Sequence, residues 1–386
     1  MSVSVSSRRN RLRSSLAAVL TVLVLLPTAA LFLRVLSDNS EQRDETLLQQ
    51  QGVEYLTALS PLVSALAESQ ASSLQGVKEV PQSVTAATAR VTEVDARLGD
   101  VLGTTQRWTG LKDKIGRLPS VTGDAATIYQ AHQEVTDLTL ELFTALRQRS
   151  QLNQVSQNDL WYLQEAATVN LPEAVTWASR MSDLANMAAN AKKAQKPALN
   201  IAGATAVQNV ESAVNALTEN LQAAAADTES ATLSGSLVSN LDSFRRGIEA
   251  ANRGVSVAGV PNAAALATAQ VTLQKALDAL SNVVYGEMKN LYDDRLDSDD
   301  YRRIEAWGLF VLALALMAAG IYWGRGRGAA PATTTGETGR EVSVQSDAGN
   351  GSTYGGNSPN PYDQPNYGEA SGYGDVNRRE RSSALR

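Results

Sequence analysis

The chain has 386 residues, a net charge of −6 and no cysteine, and 43% of its residues are hydrophobic. Without cysteine it can form no disulfide, and its single histidine cannot supply a zinc or copper site of the usual Cys/His type. The net charge also gives no indication of a basic groove for nucleic acid, which would require clustered lysine and arginine on the folded domain.

Two apolar runs divide the chain into three parts. The runs Leu16–Leu33 and Ala306–Trp323 have 18 residues each. As helices they would measure about 27 Å, close to the thickness of the hydrocarbon core of a bilayer. We therefore predict five segments: a basic N-terminal segment 1–15, transmembrane helices 16–36 and 305–324, a central domain 37–304 and a tail 325–386.

Arginines beside the two runs predict the orientation in the membrane. Four arginines precede the first run without an acidic residue, and Arg325 and Arg327 follow the second. Both termini are therefore predicted to be cytoplasmic and the central domain extracytoplasmic. Arg302 and Arg303 lie on the outer side, but long loops cross membranes largely regardless of charge. The alternative for the first run is a cleaved signal peptide, for which 28–30 (Thr-Ala-Ala) is a loose cleavage site.

The central domain has the pattern of helices almost throughout. Leucine and valine recur at spacings of three and four, and a nearly heptad stripe runs from Leu266 to Leu291. Helix breaks are predicted near Pro81, Pro119-Ser120, Asn170-Leu171-Pro172, Lys196-Pro197 and Val260-Pro261. The predicted fold class is all-α, an antiparallel helical bundle whose first and last helices continue out of the membrane. Because the total helix length exceeds that of one four-helix bundle, we predict two stacked bundles, one near the membrane and one distal.

Several short motifs occur in the order typical of one bacterial sensor module. They are Gly52-Val53-Glu54-Tyr55-Leu56, Leu59-Ser60-Pro61-Leu62, Val94-Asp95-Ala96-Arg97-Leu98-Gly99, Thr105-Gln106-Arg107-Trp108, Ala131-His132, Trp161-Tyr162-Leu163, Leu171-Pro172-Glu173 and Leu291-Tyr292-Asp293-Asp294-Arg295-Leu296. Together they resemble the extracytoplasmic helical bimodular module of methyl-accepting chemotaxis receptors and sensor histidine kinases. The resemblance covers most of residues 45–300, although 190–260 matches only in being helical. It implies a double four-helix-bundle sensor that usually feeds a cytoplasmic output, often as a homodimer.

The chain also departs from that module at charged positions. Gln50-Gln51 stands where Glu-Arg is usual, 68–70 (Glu-Ser-Gln) where His-Arg is usual, and 157–159 (Gln-Asn-Asp) where Asp-Pro-Asp is usual. These charges would orient an ionic ligand, so the ligands of the resembled module cannot be assumed for this chain.

Five residues are candidates for binding a small ligand between helices of the distal bundle. They are Arg107, Trp108, Arg149, Trp161 and Tyr162, chosen because arginine and aromatic side chains commonly anchor ligands. The alternative is that the tryptophans fill gaps in an alanine-rich core. His132 is most simply a residue on a helix face, and the acidic run 297–300 is most simply a solvated patch. Neither a cofactor, a metal nor an enzymatic activity is predicted, because the sequence contains no recognisable catalytic or nucleotide-binding pattern.

The segment from Ala329 to Arg386 differs from the rest of the chain. It contains only four of Val, Ile, Leu, Met and Phe in 58 residues, and Gly324, Gly326 and Gly328 precede it. We predict that the glycines end the second transmembrane helix and that the tail is disordered and holds no catalytic domain. The sequence therefore indicates a bacterial sensor or co-sensor that signals through a membrane or cytoplasmic partner protein. The alternative is a non-signalling envelope scaffold that uses the same bundle for protein contacts.

Overall fold

The computed structural model describes residues 5–154, 158–227, 231–254 and 262–326, and every regular element in these ranges is helical. The α-helices are α1 Val5–Leu74, α2 Gln82–Leu102, α3 Thr105–Arg117, α4 Ala125–Arg149, α5 Asn158–Glu165, α6 Leu171–Asn190, α7 Lys196–Asp227, α8 Ala231–Gly254 and α9 Ala263–Gly326. Short 3₁₀ turns lie at Leu118–Ser120 and Leu152–Gln154, and a π-helical turn at Ala166–Asn170 joins α5 to α6. The all-α prediction is confirmed for these residues.

The helices α1 and α9 contain the two apolar runs, and both are long and apolar enough to cross a membrane. They have 70 and 64 residues, which corresponds to about 105 Å and 96 Å. Within the runs, large side chains such as Leu26 and Leu316 are 66% exposed, an arrangement suited to a lipid environment. The rings of Phe32 and Phe310 stack with centroids 4.1 Å apart, so the runs lie side by side at this level.

Specific contacts show that neighbouring helices run antiparallel. Glu54 pairs with Arg97 and Glu68 accepts from Ser83, which fixes the register of α1 against α2. Asn39 donates to the carbonyl of Asp299, and Ser64 donates to Asp278. These two hydrogen bonds fix the register of α1 against α9. We call the end of the bundle nearest the apolar runs the span end, and the opposite end, where α1 stops at Leu74, the far end.

The prediction of two stacked bundles is wrong, because the helices lie side by side along one length. Near the span end, Gly52 packs against Ser150 of the α4 terminus, and Gln50 bonds to Asp293 of α9. Toward the far end the same α1 meets α6, where Gln70 donates to Asp183. Residues 1–325 form one compact unit.

Proline and glycine explain most of the helix boundaries. Pro81 lies in the loop before α2, Pro119 in a 3₁₀ turn, and Pro197 in the first turn of α7. The predicted break at 170–172 is wrong, because the π-helical turn carries the helix past Pro172 and the hydroxyl of Tyr285 donates to the Ala167 carbonyl at 2.9 Å. A break that the sequence analysis missed lies at Gly103, whose φ of 62° ends α2 in a left-handed conformation.

Some predictions fall outside the described residues. The break at Val260-Pro261 is one of them, and so is the tail beyond Gly326. The helix α9 continues through Gly324 to Gly326, whereas Gly328 belongs to the residues that are not described.

Candidate ligand-binding site

The five residues predicted to bind a ligand all lie toward the span end of the bundle. Arg107 and Arg149 are exposed, and the guanidinium of Arg149 lies beside Gly103. Trp108 is 2% exposed and packs in the core, in agreement with the alternative that it fills a gap. Trp161 and Tyr162 contact each other edge to face, with ring centroids 5.1 Å apart. None of the five lines the cavities described below.

The largest of these cavities lies at the far end, between the end of α1, the start of α4, the end of α6 and the start of α7. We call it the far-end cavity; its volume is about 760 Å³, within the range typical of small-molecule sites. Six alanines on the four elements and the loops between them contribute to its wall, and their short side chains leave this space open: Ala71, Ala125, Ala126, Ala191, Ala194 and Ala198.

Asp183 provides a buried charge in the wall of the far-end cavity. This residue is 2% exposed, and its Oδ2 accepts hydrogen bonds from Gln70 Nε2 at 2.7 Å and Ser179 Oγ at 3.2 Å. Burial raises the pKa of Asp183 to about 6, and the two hydrogen bonds oppose that rise only in part. At pH 7, above this value, the carboxylate is mostly ionised, and its hydrogen-bond partners are neutral donors.

The nearest arginine on the same helix is already paired. Arg180 forms a salt bridge with Asp137 of α4, and its guanidinium lies 4.9 Å from the ring centroid of Trp177. Tyr129, on α4, experiences the charges of both Arg180 and Asp183, and burial raises its pKa to about 12. Among the described residues, no lysine, arginine or histidine forms a salt bridge with Asp183.

Polar groups with other tasks surround the mouth of the far-end cavity. Asp124 caps α4 by accepting from Thr127 N at 2.9 Å and Thr127 Oγ1 at 2.7 Å, and these bonds lower its pKa. The side chain of Lys192 is exposed, and the neutral amides of Asn186 and Gln75 complete this part of the wall. The cavity thus combines an apolar alanine surface with a few polar groups and one buried carboxylate.

His132, which the sequence analysis placed on a helix face, is buried in α4 at 2% exposure. Neither ring nitrogen has a hydrogen-bond partner within the described part of the chain, and burial lowers its pKa to about 4. The ring is therefore neutral at pH 7. It does not line the far-end cavity.

Two other cavities are less suited to selective binding. One, of about 620 Å³ between α1, α2 and α9, is lined by Glu54, Arg90, Glu93 and Lys289, side chains of both signs. The other, of about 370 Å³, lies between α1 and α9 next to the apolar runs and is lined by Arg302, Arg303, Asp38 and Glu305. Charges of opposite sign balance in both of them, whereas the far-end cavity contains a buried charge that is not balanced.

Metal binding finds no support in the described ranges, where no group of three or more His, Cys, Asp or Glu could hold an ion. In the acidic run 297–300, Asp300 pairs with Arg43, and the backbone of Asp299 accepts from Asn39. These contacts join α9 to α1.

Asp183 and Gln70 were not among the site residues predicted from the sequence. The available signal was an aspartate four residues after Ser179 inside the alanine-rich helix α6, a spacing that places the two side chains on one face of the helix. Only the packing of α1 against α6 brings Gln70 to that carboxylate.

No protein-family model, curated protein or solved structure matches the chain.

Proposed function

We propose that the chain is a sensor or co-sensor in the bacterial plasma membrane, with its bundle outside and both termini in the cytoplasm. In this proposal a small solute binds in the far-end cavity, and a separate partner protein delivers the output. The observation that carries the proposal is that Ala71 and Leu74, in the last turn of α1, line the cavity, while the same helix contains the first apolar run.

A continuous helix supplies the physical connection between the cavity and the membrane. From Leu36 to Ala71, α1 is helical over about 35 residues, or roughly 50 Å. In the part of α1 nearest the span end, three pairs join it to α9: Asn39–Asp299, Arg43–Asp300 and Gln50–Asp293. A ligand that moves the far end of α1 would therefore shift α1 relative to α9, a motion of the kind that switches helical receptors.

In this proposal the output belongs to a partner, and the composition of residues 329–386 is compatible with that assignment. This segment has three valines and one leucine, and no isoleucine, methionine or phenylalanine. These side chains would bury too little apolar surface to hold a packed signalling domain within the segment. The partner would bind this segment or contact the spans within the bilayer. A homodimer is compatible with the same arrangement.

The alternative function is a non-signalling envelope scaffold. The polar contacts between α1 and α9 favour it. Asn39 donates to Asp299 and Ser64 donates to Asp278, so the two helices are held together over this length, as a rigid spacer would require. A scaffold requires no solute in the cavity, whereas a sensor does.

Thermal unfolding of the full chain in lipid nanodiscs distinguishes the two functions. A panel of amines, amino acids, organic acids, sugars and inorganic ions would be tested on the unmodified chain and on Ala126→Leu, whose larger side chain would occupy part of the cavity. Ala86→Leu, an exposed alanine of α2 outside the cavity, is the matched control. A solute at 100 times its Kd should stabilise the fold by about 2.7 kcal/mol.

The sensor proposal expects a solute that stabilises the unmodified chain and Ala86→Leu but not Ala126→Leu. If no solute in the panel shifts a cooperative unfolding transition, the scaffold is favoured instead.

A further inference from the structure

We infer that the far-end cavity binds a solute carrying a protonated amine, with the carboxylate of Asp183 as its counter-ion. This inference rests on the proposed function, since it specifies the chemical class of the solute for the same cavity.

Asp183 presents a buried carboxylate to the far-end cavity. A buried ionised group is costly unless a charge of opposite sign compensates it, and buried carboxylates are normally paired. Asp183 has two neutral hydrogen-bond donors, Gln70 and Ser179, and no salt bridge within the described ranges. A cation arriving from solvent would supply the missing partner.

The charges that face the cavity favour a cationic solute. Its lining includes two aspartates, Asp124 and Asp183, and one lysine, Lys192. Asp124 is engaged in capping α4, and Lys192 is exposed at the mouth. Asp183 is therefore the buried charge of the lining, and an anionic solute placed beside it would be repelled.

The hydrogen-bond acceptors of the cavity lining match the donors of an amine. An alkylammonium group has three N–H donors and no acceptor. Besides the carboxylate, the lining offers the side-chain carbonyls of Asn186 and Gln75 as neutral acceptors. The alanines of the wall suit the short hydrocarbon part of such a solute, and about 760 Å³ is ample for a small amine.

A series of four-carbon compounds tests the inference because its members differ mainly in charge. Putrescine is a dication, butane-1,4-diol is neutral and succinate is a dianion; ethanolamine and lysine extend the set of amines. Binding to the full chain in nanodiscs at pH 7.5 would be measured by calorimetric titration. The variants are Asp183→Asn, which preserves the shape of the side chain, and Asp113→Asn, an exposed aspartate of α3 outside the cavity, as the control.

The expected result is that at least one of the three amines binds the unmodified chain and Asp113→Asn, while Asp183→Asn binds it about tenfold or more weakly, the loss of a charged contact. A third variant, Ser179→Ala, removes one donor but keeps the charge and should retain binding.

Three results would overturn the inference. If succinate or butane-1,4-diol binds and the amines do not, the solute class is wrong, although a solute receptor remains. Equal amine affinity in Asp183→Asn would remove the assigned counter-ion. If none of these compounds binds, the amine class is excluded, and the wider panel on Ala126→Leu decides separately whether the cavity receives any solute.

Discussion

At the level of single residues, two buried ionisable side chains change the free energy of unfolding with pH in opposite directions. Asp183 on α6 has a raised pKa, and His132 on α4 has a lowered one, both because burial disfavours the charged form. Between about pH 4 and pH 6 their contributions change in opposite directions, so they partly cancel in the unmodified chain. Variants of each residue separate them.

Asp183→Asn should stabilise the ligand-free chain at pH 7 by about 1–3 kcal/mol. The folded-state pKa of about 6 exceeds the ordinary value of 3.8, so the folded state holds the proton more tightly. The difference in stability between the variant and the unmodified chain should therefore be smallest below about pH 4, and grow as the pH rises through 6. Urea unfolding at several pH values measures this difference, and a variant that is less stable at pH 7 would contradict the stated burial cost.

His132→Leu should have the opposite pH dependence. The folded-state pKa of about 4 lies below the ordinary 6.5, so the unmodified chain loses stability as the pH falls from 6.5 to 4, by up to about 3 kcal/mol. Leucine cannot be protonated, and the variant should escape this loss. At pH 7 it should also gain about 1–2 kcal/mol, because two buried nitrogens without partners are removed. The same urea titrations serve as the measurement, and an unchanged acid sensitivity would show that His132 is not the responsible group.

At the element scale, close helix contacts depend on positions that lack a side chain. A Cβ on Gly52 of α1 would lie 2.4 Å from Ser150 Cβ, whereas a Cβ on Gly110 of α3 would meet nothing within 4 Å. Both glycines are inside helices, so they form a matched pair.

Gly52→Ala should therefore destabilise the chain by about 1–3 kcal/mol, because α1 and the end of α4 must separate. Gly110→Ala should stabilise it by about 0.5–1 kcal/mol, because alanine favours helix and no atom is displaced. Thermal unfolding of the two variants checks both signs. Stabilisation in both would show that α1 and α4 are not in close contact.

The motif residues of the sensor-like pattern have structural tasks in this bundle. Gly52 allows close packing, the Tyr55 hydroxyl donates to Asp95 at 2.9 Å, and Thr104 donates to the same carboxylate at 3.0 Å. These contacts join α1 to α2 and to the turn before α3. The motifs alone predicted helices and their order, but their shared task became visible only through contacts between residues far apart in sequence.

Local signals explain which elements could be predicted. Periodicity gave the helices, and the leucine stripe beginning at Leu266 is buried in the core as far as Val284. The prediction of a break at Pro172 was wrong because a π-helical turn keeps the helix continuous there. Tertiary contacts accompany this turn, such as the hydrogen bond from the Tyr285 hydroxyl to the Ala167 carbonyl. The candidate site could not be derived, because Gln70 and Asp183 are separated by 113 positions and meet only after packing.

At the scale of the whole molecule, the proposed topology makes opposite predictions for two positions. Lys78 is exposed in the loop after α1 at the far end, and Ser7 lies in the basic segment before the first apolar run. Because the chain has no cysteine, Lys78→Cys and Ser7→Cys each introduce a unique thiol.

In intact cells, a membrane-impermeant maleimide should label Lys78→Cys and should label Ser7→Cys only after permeabilisation. Labelling of Ser7→Cys alone in intact cells would reverse the proposed orientation. Loss of the first residues from the mature protein would instead favour a cleaved signal peptide.

In the proposed sensor, a solute in the far-end cavity changes the position of α1 relative to α9 near the membrane. Glu41 on α1 and Ser298 on α9 are exposed next to the Asn39–Asp299 contact, so Glu41→Cys and Ser298→Cys provide a pair of sites for spin labels.

The distance between these labels would be measured by double electron–electron resonance in nanodiscs, with and without a saturating concentration of an amine that binds in the calorimetric titration. We predict that this amine shifts the distance distribution, and that the shift disappears when Asp183→Asn is added. An unchanged distribution at saturating amine would show instead that binding in the far-end cavity is not transmitted to the spans.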